Sequence, residues 1–264
     1  MAAALAAPIP PTALVARPLA TRPIFALRGR AALFAGLLWW PLVLPFDGVW
    51  MGARVPWGQW LTSALTAVYW LALYRGAPPR LRHALVRGVL IAVAGECFFS
   101  LVIGMYEYRL TWIPLYVFPG HAILFATVYW WSRDHDVLRH AGAWKAGLYT
   151  LAAGYSAYWL FARNDVYGWL CFAVFSAILA VARESRLFFL AMYLLVAFLE
   201  QLGTSLGCWH WPAVLLGRFE GVPSANPPSG IASFYFGLDV LCLIAYLQSR
   251  PALAARRRRR HAAR

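Results

Sequence analysis

The sequence predicts an all-α fold, a polytopic membrane helix bundle of about eight transmembrane helices, and three observations predict it. Of 264 residues 62% are hydrophobic and only 13% charged, with a mean hydropathy of +0.59. A soluble domain of this size needs more polar surface to cover its core, so the apolar excess points to lipid as solvent. The apolar residues gather into eight segments of roughly membrane-crossing length. The Lys and Arg residues fall almost entirely on one side of those segments.

Residues 1–30 are rich in Ala and Pro and carry Arg17, Arg22, Arg28 and Arg30 without an acid. They lack a compact signal-peptide pattern and read as a disordered, basic cytoplasmic lead. A single transmembrane domain follows over 31–249, with spans at 31–47, 57–74, 88–105, 114–132, 147–162, 166–182, 187–204 and 231–249. Residues 250–264 form a basic cytoplasmic tail, and its run Arg256 to Arg260 suits anionic lipid headgroups or a plain topology anchor. With the N-terminus inside, the 75–87 loop (Arg75, Arg80, Arg82, Arg87), the lead, the tail and two further loops place twenty Lys and Arg in the cytoplasm. Only Arg54, Arg109, Arg163 and Arg218 lie outside. This is the bias of the positive-inside rule. It puts both termini in the cytoplasm of, by expectation, a bacterial inner membrane. The net charge of +14 is therefore spent on orientation, and a nucleic-acid partner is not expected.

The two halves, about 31–132 and 147–249, echo each other. In the first, Glu96 leads through Gly104 to Tyr106-Glu-Tyr108 and re-enters as Val117-Phe-Pro-Gly-His121. In the second, Glu200 leads through Gly207 to Trp209-His-Trp211 and re-enters as Asn226-Pro-Pro-Ser-Gly230. Asp47-Gly-Val-Trp50, which ends the first span, and Asp165-Val-Tyr-Gly-Trp169, which follows the fifth, match as well. Four spans separate the copies, so a 4+4 parallel internal repeat is expected, its pseudo-axis along the membrane normal.

Among ten acidic residues, Glu96, Glu200 and Asp239 fall within spans. A carboxylate in hydrocarbon costs roughly 2.5–3.5 kcal/mol on insertion scales, so it faces the bundle interior and usually has a function. Folded as a two-fold pair, the halves would bring Glu96, Glu200, His121 and Asn226 into one pocket at the outer face. Tyr106, Tyr108, Trp209 and Trp211 would rim it, and Ser229 would match His121 at the second re-entry point. Paired carboxylates in a dry pocket repel, so one is expected to hold a proton. An acid among aromatic walls suits protonation of an alkene and stabilisation of the cation that results. The bland readings compete. A buried Glu also serves to bond a neighbouring helix, Tyr-x-Tyr and Trp-x-Trp also form interfacial belts, and Asp239 also bridges helices. The cysteines Cys97, Cys171, Cys208 and Cys242 read as small buried hydrophobes. No spacing supports a metal, and no cofactor is expected.

The segments Glu200-Gln-Leu-Gly-Thr-Ser-Leu-Gly-Cys-Trp-His-Trp211 and Glu96…Gly104-Met-Tyr-Glu-Tyr108 resemble the Glu-x-x-Gly-Thr-x-x-Gly…Tyr-x-Tyr signature of membrane carotenoid hydratases of the bacterioruberin type. The stretches Pro119-Gly-His121 and Asn226-Pro-Pro-Ser-Gly230 also resemble uncharacterised bacterial polytopic membrane proteins. The resemblance covers about fifty residues in two patches, and this chain departs from it in Trp-x-Trp and His121. It implies a polyene substrate with Glu96 and Glu200 as proton donors. The expected function is a membrane enzyme acting on an isoprenoid or related lipid by hydration, cyclisation or isomerisation. Glu96, Glu200 and His121 are its candidate catalytic residues. Tyr106, Tyr108, Trp209, Trp211, Asn226, Ser229 and Asp239 are its candidate substrate-binding residues. A proton-coupled transporter and a non-catalytic scaffold are the alternatives.

Overall fold

The computed structural model describes residues 29–236. Residues 1–28 of the lead, the basic tail, Cys242, Asp239 and most of the 231–249 segment lie outside them.

The chain is mainly helical. It runs through α1 (Gly29–Val43), the short α2 (Val49–Gly52), α3 (Gly58–Gly76) and α4 (Pro79–Glu96), which continues without a break as a π-helical segment, Cys97–Ile103. Then follow strand β1 (Glu107–Tyr108), α5 (Val117–Trp131), α6 (His135–Arg139), α7 (Ala141–Arg163), α8 (Val166–Val181) and α9 (Arg186–Ser205). After β2 (Trp209–His210), β3 (Val214–Leu215) and β4 (Phe219–Pro223), the chain is helical again from residue 232. Helices thus occupy the first seven apolar segments.

One boundary and the purely helical character differ from what the sequence predicts, for local reasons. Arg80, Arg82 and Arg87, expected in a 75–87 loop, sit in the first half of α4. Pro79 takes the first helical position, where its missing N–H costs nothing, and only Ala77 and Pro78 separate α3 from α4. The fold is also not purely helical. Two small antiparallel pairs, β1–β2 and β3–β4, order the connections at one end of the bundle, called here the loop end. The alternation in Tyr106-Glu-Tyr108 and Trp209-His-Trp211 has the period of two that suits a strand.

Among the described residues, three helical stretches are long and apolar enough to cross a membrane: Leu33–Gly52, Leu81–Ile103 and Arg183–Ser205. They differ in place. Only 22% of the Leu81–Ile103 window is buried within the chain, against 67% for Arg183–Ser205. The first exposes Leu90, Phe98, Leu101 and Val102, while α1 exposes Phe34, Leu38 and Leu42. Apolar surface of this extent is compatible with contact to lipid. In contrast, α9 and α5 form the centre. α4 and α1 pack on α5, α7 packs on α9, and α5 meets α9. The core around them is apolar and aromatic, with Ile123, Val128, Phe175, Leu190, Tyr193, Val196 and Phe236 fully covered.

Candidate functional site

Each of two buried carboxylates at the loop end is held by three side-chain hydrogen-bond partners. Glu96 ends α4 and is 3% exposed; Glu200 lies one turn before the end of α9 and is 2% exposed. Glu96 Oε2 accepts from the hydroxyls of Tyr106 at 2.5 Å and Tyr108 at 2.7 Å, and its Oε1 is hydrogen-bonded to His121 Nε2 at 2.8 Å. Glu200 Oε2 accepts from the indole N–H groups of Trp209 at 2.7 Å and Trp211 at 3.1 Å, and its Oε1 accepts from the Tyr235 hydroxyl at 2.7 Å.

Local structure explains how two aromatics two residues apart reach the same acid. After each glutamate the helix ends in a left-handed glycine, Gly104 at φ +69° and Gly207 at φ +70°, a conformation glycine adopts without strain. The chain then turns back as an extended segment, in which positions i and i+2 share a face. Tyr106 and Tyr108, like Trp209 and Trp211, therefore both look toward the helix that precedes them. Before Trp209, α9 carries Gly203, where a Cβ would collide with the Trp209 ring. Its bare backbone is what admits the indole. The spacing differs by one residue, eight from Glu96 to Gly104 and seven from Glu200 to Gly207. The π-helical segment lies in that longer stretch, and π geometry is how a helix absorbs an extra residue.

β1 and β2 join the two clusters. Glu107 pairs with His210 and Tyr108 with Trp209. Counted from Gly104 and Gly207, Glu107 and His210 occupy the same position, so the antiparallel pairing is related to itself by a two-fold rotation. Across it, Tyr106 packs on Trp211 at 4.6 Å between ring centroids and Tyr108 on Trp209 at 6.3 Å. His121 and Tyr235 stack at 4.9 Å. Both line a small cavity of about 30 Å³, walled among others by Trp40, Tyr116, Glu200 and Trp209. That is room for a water or two, well below the volume of a lipid pocket.

A second pair of acids braces the site. Asp47 accepts from Arg109 Nη2 at 2.8 Å, the Tyr116 hydroxyl at 2.8 Å and Gln59 Nε2 at 3.0 Å, while Arg109 Nε also donates to the Asp47 carbonyl at 2.6 Å. Asp165 accepts from the backbone N–H groups of Gly168, Ala225 and Ser229 at 3.1, 2.9 and 2.7 Å. Each acid ties the start of its half to the segment that re-enters the bundle. Burial pushes the Tyr106 and Tyr108 hydroxyls well above the usual tyrosine range, and the nearby carboxylate charges push the same way. These phenols remain donors at any physiological pH. Burial likewise raises the Cys208 thiol, whose Sγ donates to the Leu44 carbonyl at 3.6 Å.

The structure brings Glu96, Glu200, His121, Tyr106, Tyr108, Trp209 and Trp211 together. Asn226 stands one step away. Its Oδ1 accepts from the Trp211 N–H at 2.9 Å and its amide donates to His210 Nδ1 at 3.0 Å, which holds β2 in place. Ser229 belongs to the Asp165 brace. Asp239 lies outside the described residues. Sequence reasoning missed Tyr235, which takes toward Glu200 the place His121 takes toward Glu96; its only signal was a polar-tipped ring one turn into the eighth apolar segment. It also missed Arg109 as the partner of Asp47, although an Arg on the sparsely charged side invited the pairing. Among the described residues, no three His, Cys, Asp or Glu side chains gather as metal ligands.

No protein-family model matches this sequence, and neither a curated protein nor a solved structure matches it.

Proposed function

We propose that the chain is an eight-span membrane protein built as a 4+4 parallel repeat, with both termini in the cytoplasm, that performs acid–base chemistry on an isoprenoid or related lipid. The observation that carries this reading is the pair of buried carboxylates, one lining a small aromatic chamber and the other bonded to His121, Tyr106 and Tyr108, which line it. Residue-by-residue correspondence supports the repeat: Glu96 with Glu200, Gly104 with Gly207, Tyr106 and Tyr108 with Trp209 and Trp211, His121 with Tyr235, and Asp47 with Asp165. The lipid-compatible faces of α1 and α4 and the distribution of Lys and Arg support the span count and orientation.

Chemically, a carboxylic acid donates a proton to a double bond, and Tyr106, Tyr108 and Trp209, which line the cavity, steady the cation that forms. Glu96 with His121 supplies the matching base. The cavity admits only the reacting atoms, so the rest of a long hydrocarbon lies between the helices and the lipid. Toward the other end of the bundle the floor of the cavity is Leu124, Leu199 and the aliphatic core of α5 and α9. A dry floor favours one-sided chemistry over a proton-coupled transport path, which needs polar groups on both sides. The basic tail is assigned to anionic headgroups at the cytoplasmic surface.

Lipid profiles of cells carrying wild type, Glu96→Gln, Glu200→Gln or no protein, at matched membrane levels, test this. The expected result is an isoprenoid whose mass or isomer changes with wild type only, each variant losing at least about 10²-fold of the product. Four coinciding profiles would end the proposal for the lipids of that host.

A further inference from the structure

We infer that Tyr235 is a catalytic residue, the proton-bearing counterpart of His121, and that these two stacked rings form a bridge through which Glu200 and Glu96 share a proton across the cavity. This rests on the acid–base reading above and names the residue that would reset it after each turnover.

Each carboxylate has one oxygen committed and one available. Glu200 Oε2 receives two indole N–H groups, which can only donate, so no proton sits there. Glu96 Oε2 is occupied by the Tyr106 and Tyr108 hydroxyls. A mobile proton therefore belongs on the Oε1 atoms. Those are the atoms that meet His121 at 2.8 Å and the Tyr235 hydroxyl at 2.7 Å; the hydroxyl donates to an ionised Glu200 and rotates to accept from a protonated one. The two rings lie 4.9 Å apart and 26° from parallel, and both line the cavity. Its volume of about 30 Å³ admits a water, which can carry a proton from one ring to the other.

The step balances without an oxidant or reductant. The Glu200 O–H bond breaks as its proton passes to the Tyr235 oxygen, while the Tyr235 proton passes to a substrate carbon, forming a C–H bond and a carbocation. Glu200 is left as carboxylate. His121 then takes a proton, either from the carbon beside the cation, which forms a new double bond, or from a water that has added to the cation. Glu96 balances the imidazolium charge. The proton returns through the cavity water and Tyr235 to Glu200, and the substrate leaves isomerised or hydrated. The other titratable groups around this bridge are Tyr106 and Tyr108 after the π-helical segment, Tyr116 before α5 with Asp47 and Arg109 behind it, and Tyr155 of α7 near Glu200.

Infrared-detected pH titration of the full-length protein in phospholipid nanodiscs tests the bridge without any substrate. The carboxyl band that Glu96→Gln removes is followed with and without Glu200→Gln, first with Tyr235 present and then with Tyr235→Phe. With Tyr235 present, Glu200→Gln should move the Glu96 midpoint by about one pH unit or more, and with Phe that shift should collapse. His121→Phe cuts the same bridge from its other end and should also remove the shift. The same shift in all backgrounds, or none in any, overturns the inference, because a merely structural Tyr235 leaves the coupling alone. Coupling without a lipid product removes the isoprenoid reading and keeps the bridge; a lipid product without coupling does the reverse.

Discussion

At the scale of single residues, the site depends on donors that cannot be exchanged freely. A buried carboxylate left short of a donor bears a desolvation cost of about 1–3 kcal/mol. Tyr108→Phe is therefore expected to destabilise the protein by about that much, measured by unfolding in detergent; an unchanged stability would mean water replaces the phenol. Arg109 and Asp47 form a buried pair, and removing one partner of such a pair typically costs 3–5 kcal/mol. Arg109→Met should fall near the lower end, since the guanidinium is 18% exposed, and a loss below about 1 kcal/mol would show that the pair behaves as a surface contact. The site tyrosines also set an alkaline limit. Their hydroxyl pKa values lie above the unfolded value in the folded chain, so stability is whole below about pH 10 and falls as pH rises past it. Alkaline unfolding of wild type against Tyr106→Phe, Tyr108→Phe checks the sign: the doubly substituted protein should resist high pH relative to its own neutral stability.

At the scale of elements, the two glycine caps give a graded comparison. Both have positive φ, but a Cβ at Gly104 meets nothing within 4 Å, whereas one at Gly207 lies 2.5 Å from Val49 Cγ2. Gly104→Ala should cost about 1 kcal/mol, the left-handed penalty alone, and Gly207→Ala distinctly more. Equal costs would mean that α2 yields. The sequence showed the landmarks Glu, Gly and the alternating aromatics in both halves, because helix ends and alternation are local patterns. It showed the one-residue difference in spacing without its cause. A π turn forms through competition between hydrogen-bond registers within a packed bundle, and Cys97–Ile103 carries no local mark of it. The start of α4 at Pro79 was legible in principle, since proline at a first helical position is a local signal, but the cluster of Arg residues suggested a loop.

At the scale of the whole molecule, the proposed orientation makes a direct claim. In a background with the native cysteines replaced, cysteines at Arg54 and Arg218 should react with an impermeant thiol reagent in intact cells, and one at Arg139 should not. Labelling at Arg139 with protection at Arg54 would invert the topology and move the glutamate chamber to the cytoplasmic face. Composition, segment lengths and the sided placement of Lys and Arg made the helical, lipid-compatible character readable, because each depends on summed local chemistry. The few chemistry-bearing residues in apolar stretches, Glu96, Glu200 and His121, were readable for the same reason: charge in an apolar run is costly enough to stand out. Which donors meet which oxygen was not. Tyr235 reaches Glu200 across 35 residues, Tyr116 and Arg109 reach Asp47 across more than sixty, and the β1–β2 pairing joins the two halves. Such contacts follow from how helices pack and return, a property of the folded chain that no single segment encodes.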